Sequence, residues 1–330
     1  MRRLLIPVVL LAACKSPAGA PPSAPAAQAP THAPADMSHG EAPVGQGTTP
    51  APVSAVAPPR STTTRHKIRL EMKHARVVLT DGVAFDAWTF GGDVPGPALR
   101  VTVGDTIDFT LVNKAPIPHS MDFHAAEVAP SRAYVNVNPN DSLQYRWVAR
   151  VPGAFMYHCG TAPVALHIAS GMYGAIIVDP VRPRPAAREY VLVQSEFYTK
   201  SSGSATDTAL RTVDWQKLLS LAPDHVVFNG RAAQYALHPL PAKPHELVRL
   251  YVVNAGPNRA SAFHVVGGIF EKVFQDGRAT PTFEGIQTVE VPVGGGAIFE
   301  VRLPEPGDYP FVSHAFADAT KGAVGILKAE

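Results

Sequence analysis

From His66 onward, apolar and polar residues alternate along much of this chain. Ile68, Leu70 and Met72 interleave with Lys67, Arg69, Glu71 and Lys73, the period-two signature of a strand with one buried face. Val101 and Val103, then Ile107, Phe109 and Leu111, repeat it on either side of Gly104-Asp105, and Leu143, Tyr145 and Trp147 do so again. No long stretch carries a helical period. The best short-helix candidate is Trp215 to Leu219, in a connection. Short strands punctuated by Gly, Pro, Asn and Asp predict an all-β sandwich.

The pattern occurs twice. Val112-Asn113 followed by Asp122-Phe123-His124 has a counterpart in Val253-Asn254 followed by Ala262-Phe263-His264. Pro152-Gly153-Ala154-Phe155 leading to His158-Cys159 matches Pro306-Gly307-Asp308-Tyr309 leading to Ser313-His314, and Gly174 to Val178 echoes Gly322 to Ile326. Two tandem sandwiches, residues 65–180 and 181–330, follow from this repeat, each of ordinary domain size.

The start of the chain is different. Arg2 and Arg3 precede an apolar run, Leu4 to Ala13, too short to span a bilayer, so residues 1–13 are expected to be a secretory signal. Leu11-Ala12-Ala13-Cys14 resembles a bacterial lipobox, with Cys14 the expected lipidated residue. Lys15 gives no acidic retention signal, so the expected address is the cell envelope, outer-membrane or periplasm-facing. Residues 15–64 contain no Phe, Trp or Tyr and are crowded with Pro, Ala, Ser and Thr. Such a composition predicts a disordered tether over 14–64, reaching on the order of 100 Å.

Charge and cysteine content narrow the chemistry. The formal net charge is +2 and charged residues make up 17% of the chain, so nothing points to nucleic acid. There are two cysteines. Lipidation of Cys14 leaves Cys159 without a disulfide partner despite export. No glycine-rich phosphate loop precedes a helix, and no Ser-His-Asp arrangement is evident.

Cys159 lies in FMYHCGTAPVALHIASGM, with His167 eight residues on, Met172 five further and His158 immediately before it. A lone cysteine is ordinarily a small buried hydrophobe. One thiolate, imidazoles and a weak thioether together are the ligands of a blue-copper electron-transfer site. His119, upstream in PHSMDFH, supplies the missing imidazole, and His119, Cys159, His167 and Met172 read as one copper centre. Neighbouring residues on a strand face opposite ways, so His158 turns away from that centre. The same parity separates His119 from His124. His124 and His158 are therefore free to bind a second metal, joined to the first through one peptide unit.

These motifs, PHSMDFHAA, MYHCGTAPVALHIASGMYGAI, Phe263-His264-Val265-Val266 and Val312-Ser313-His314, resemble the copper-containing nitrite reductases, two-domain cupredoxin proteins that assemble as trimers. The resemblance runs from about His66 to the C-terminus, and the Cys159–His167 spacing is similar to the subgroup with tethered lipoproteins. It implies a type 1 copper on His119, Cys159, His167 and Met172. It implies a type 2 copper on His124 and His158, completed by His314 from a neighbouring subunit. Asp122 and His264 match the family's two proton-handling residues, and Val266 stands where isoleucine is usual against the substrate. After His124 the chain runs Ala125-Ala126-Glu127-Val128-Ala129-Pro130, where many members are glycine-rich.

The implied activity is reduction of nitrite to nitric oxide, with electrons from a cytochrome c or small cupredoxin. A laccase-like cluster needs paired His-x-His motifs, and the sequence has none. A two-copper enzyme acting on another small molecule, such as oxygen or hydroxylamine, is an open alternative. A tethered electron carrier would leave His124, His158 and His314 without a purpose.

Overall fold

The computed structural model describes residues 52–330; the expected signal, Cys14 and the tether as far as residue 51 lie outside the described residues. Two sheets make the first half. One contains Arg65–Thr80, Val83–Phe90, Thr106–Asn113 and Ser142–Val148; the other contains Leu99–Thr102, Asp122–Phe123, Gly153–His158 and Tyr173–Asp179. The alternation seen in the sequence sets the inward face: Leu70, Met72, Ile107, Phe109, Leu111 and Trp147 are buried between the sheets with Phe123, Tyr157 and Ile176. Arg65–Thr80 changes partner midway. Up to Met72 it runs parallel to Thr106–Asn113, and beyond it pairs antiparallel with Val83–Phe90.

The second half repeats the plan. One sheet holds Arg188–Phe197, Leu247–Gly256, Gly296–Arg302 and Phe270–Gln275; the other holds Ser261–Val265, Gly307–Ser313 and Val324–Ala329, with shorter strands at the edges of both. Two asparagines show how closely the halves correspond. Asn113 takes the Ala115 N–H on Oδ1 and donates through Nδ2 to the carbonyls of Ile117 and Val137. Asn254 takes Gly256 N–H and donates to Arg259 and Val291. Each amide ties a strand end to the loop that follows, satisfying backbone groups that the ladder leaves open. A third apolar cluster, with Val77, Phe85, Met156 and Tyr173 from one half and Val193, Phe197, Tyr251 and Ile298 from the other, joins the two sandwiches.

Two boundaries differ from the sequence reading. Thr199–Ser201 and Leu210–Val213 fall beyond residue 180, yet they extend a first-half sheet by pairing next to Val83–Phe90. An unpaired sheet edge attracts any strand within reach, and a four-residue strand shows too little alternation to reveal its partner. Residues 53–60, assigned to the tether, pack on the second half and its junction. Ala55 and Ala57 are buried, Val191 N–H donates to Ala55 O, and Arg60 Nη2 donates to Pro180 O. Small residues with Pro can lie flat in a groove that already exists, which composition alone does not disclose. Trp215–Leu219 is a helix as expected, its N-cap Asp214 accepting from the Gln216 and Lys217 amides.

Among the described residues no helix is long and apolar enough to cross a membrane.

Candidate metal centres

Cys159 follows directly on the strand Gly153–His158, and His167 sits on the short helix Val164–Ala169 that the chain forms next. This hairpin-like return brings Cys159 Sγ to 3.2 Å from His167 Nδ1. His119 reaches the same place from the loop ahead of Asp122–Phe123, held by a bridge to Val137. Its Nδ1 is 3.0 Å from His167 Nδ1 and 3.9 Å from Cys159 Sγ. Ser120 N–H donates to Cys159 Sγ at 3.3 Å. Met172 is fully buried in the same core cluster, and its carbonyl accepts the Cys159 N–H at 3.1 Å.

Burial, then the facing His167 and His74, pushes His119 down to about 3. Burial and His74 push His167 to about 4. Both rings are therefore neutral with free lone pairs over the whole working pH range. His119 Nε2 is buried without a hydrogen-bond partner among the described residues, so the polar contacts of the ring are those of its Nδ1. Two imidazole nitrogens and a thiol converging in a dry pocket are the soft donor set that copper requires. Trp88 packs edge-on to both rings, and His74 stacks on Trp88 at 5.3 Å.

The second cluster lies on the other side of the same backbone. Asp122 and His158 are register partners across the antiparallel pair Asp122–Phe123 and Gly153–His158, so their side chains share a face. His158 Nδ1–H donates to Cys159 O at 2.9 Å, and His124 Nδ1–H donates to Gly294 O at 2.9 Å. Those bonds leave both Nε2 lone pairs pointing at one spot, 3.0 Å apart. Asp122 Oδ2 stands 3.5 Å from His158 Nε2 and 3.8 Å from His124 Nε2. Two lone pairs and a carboxylate aimed at one point suit a cation, with outer-shell carbonyls fixing each ring.

Burial, and secondly His158, lowers His124 below its usual value, against the pull of Asp122. Burial pushes the Asp122 carboxyl up, but the neighbouring His158 imidazole and the Tyr134 hydroxyl outweigh it and hold the group below the ordinary range.

His158, the last residue of its strand, and Cys159, one residue beyond it, thus serve different clusters, as the sequence reading expected. For His119 and His124 the parity argument does not apply, although the two do separate. The strand there is only Asp122–Phe123, and His119 lies outside it, so the turn of the loop separates them.

The remaining expected residues sit elsewhere on the single chain. His264, on Ser261–Val265, donates from Nδ1 to Gln287 O at 2.7 Å and packs against His314 with ring centres 5.3 Å apart. His314 is exposed and touches Phe316. Val266 is 43% exposed. None of the three belongs to the Asp122–His124–His158 group. Sequence reasoning missed Gly294, which orients His124 from the second half, and Tyr134, whose hydroxyl donates to Asp122 Oδ1. Neither carries a local signal, because both contacts come from loops without periodicity.

A multicopper oxidase family model matches residues 71–183. A copper-containing nitrite reductase of Neisseria meningitidis serogroup B is 40% identical over 277 residues, 82% of this chain and 70% of that protein. Another, from Pseudomonas chlororaphis, is 32% identical across 80% of this chain and 78% of its own length. The solved copper nitrite reductase of Nitrosomonas europaea superposes with a TM-score of 0.73 at 36% identity, covering 81% of this chain and 94% of that one. With two donor clusters back to back on one strand end and relatives matched over most of their length, the chain belongs to the copper-containing nitrite reductase family.

Proposed function

We propose that this chain accepts single electrons at the His119–Cys159–His167–Met172 centre and reduces nitrite to nitric oxide at the centre built on His124 and His158. The observation that carries this is the peptide unit between His158 and Cys159, whose side chains enter separate donor clusters. When bound, copper cycles between two oxidation states at the first cluster and offers an open coordination position to a small oxyanion at the second.

The protein groups supply the rest. Nitrite takes up one electron and two protons to give nitric oxide and water. Asp122 stands beside both Nε2 atoms and is placed to relay a proton from solvent to an oxyanion there. His264, its ring oriented by the Nδ1–H bond to Gln287 O, is the second proposed proton-handling residue. Neutral His119 and His167 in a sealed pocket limit solvent rearrangement when charge arrives. With copper held in both clusters, the Cys159–His158 backbone would be the covalent route for the electron between them.

The exposed His314, with Phe316 and Val266 beside the His264 face, favours a homotrimer in which His314 of one copy completes the second cluster of the next. A cytochrome c or small cupredoxin is the proposed donor, with the chain exported and anchored in the cell envelope through a lipid on Cys14. Nitric oxide formation from nitrite with a reduced artificial donor tests the reading. His124→Ala should abolish turnover and leave the blue absorption intact; undiminished turnover would refute it. A monomer carrying a full second copper would contradict the shared His314.

A further inference from the structure

We infer that Tyr134 is a positioning residue for Asp122, locking the carboxylate so that one oxygen stays directed at the substrate position. This rests on the nitrite-reducing reading above. The two oxygens of Asp122 have different surroundings. Oδ2 faces the Nε2 atoms of His158 and His124 at 3.5 and 3.8 Å, whereas Oδ1 accepts the Tyr134 hydroxyl hydrogen.

The strand pairing with His158 fixes only the Asp122 backbone. Rotation of an aspartate carboxyl about its last bond is broad and nearly two-fold, so the backbone alone does not fix the carboxylate plane that aims an oxygen inward. A second partner on Oδ1 fixes it.

Tyr134 is itself held firmly. It caps the turn Pro130–Ala133, with its N–H on Pro130 O at 2.8 Å, while Ala133 is buried beneath it. The Ala- and Pro-bearing loop after His124 thereby delivers a phenol to the rear of the proton-handling carboxylate. Burial and the Asp122 bond push the Tyr134 phenol well up, so it remains a donor at every working pH.

The test uses the full copper-loaded chain and the variants Tyr134→Phe, Asp122→Asn and the double variant. A hydrogen bond to a charged group is strong enough that its removal should lower kcat about ten-fold, with a smaller change in KM for nitrite. If Tyr134 acts through Asp122, the phenylalanine substitution should have no further effect in the Asp122→Asn background. A full additive loss there would overturn the proposal.

The second readout needs neither copper nor nitrite. In metal-free protein, the infrared carboxylate band that Asp122→Asn removes should shift in Tyr134→Phe; a band that stays in place overturns the proposal. A wild type that does not turn over nitrite defeats the parent reading, while the band shift still decides the role of Tyr134. If the phenylalanine variant does not fold, wild-type crystals serve instead. Tyr134 Oη farther than about 3.5 Å from both Asp122 oxygens overturns the proposal, and a shorter contact supports it.

Discussion

Replacing Gly294 by alanine should weaken the second copper site and leave the first untouched. Gly294 has φ +77°, a left-handed conformation. An L-residue held there costs about 1–2 kcal/mol. The added Cβ would lie 3.4 Å from its nearest neighbour, His124 Cε1, so the perturbation is backbone strain more than collision. The Gly294 amide is tied to Asn254 O at 2.8 Å, which leaves the carbonyl side freer to turn. That carbonyl takes the Nδ1 hydrogen of His124 and so fixes its tautomer.

If the strain is relieved by turning the carbonyl away, up to the same free energy is lost from metal binding. Loss of an outer-shell partner ordinarily costs about 10- to 100-fold in affinity, and about 1.4 kcal/mol is ten-fold. The expectation is about a ten-fold weaker second site, read by copper titration with electron spin resonance to type each ion. The blue band should keep its intensity and position. Unchanged second-site affinity, with global stability lower by the full strain, would show that the carbonyl does not set His124. A parallel loss of the blue band would show that the two centres are not independently supported.

Cys159→Ser should abolish the blue absorption, because a hydroxyl cannot replace the thiolate sulfur; retention of the band refutes the ligand assignment. Asn254→Ala removes three hydrogen bonds from a fully buried amide and strands two carbonyls and an N–H, which should lower unfolding free energy by about 3 kcal/mol in denaturant titrations. Burial raises Glu189, but bonds from Arg100 and Arg249 outweigh it, and its carboxyl is held below the usual range. A lowered folded value means stability that is present above the ordinary carboxyl pKa of about 4.3 and lost as pH falls through the folded value. Glu189→Gln should therefore flatten the decline of stability below about pH 4.3, and an unaltered acid slope would refute the pairing.

The sequence alone determined what depends on neighbours along the chain. Alternation at Ile68, Leu70 and Met72 and at Ile107, Phe109 and Leu111 set strand faces, because successive side chains on a strand must point opposite ways. The adjacency of His158 and Cys159, at and just past a strand end, likewise sends their side chains to different clusters. Asp214 ahead of Trp215–Leu219 made a helix start recognisable for a similarly local reason. Only the tertiary structure decided what came from afar. Tyr134 behind Asp122, Gly294 against His124, Leu210–Val213 on the edge of the first half and residues 53–60 against the second are contacts between segments without periodicity. Their partners are chosen by which surfaces the packed sandwiches leave open, and that choice is not written in any single stretch of sequence.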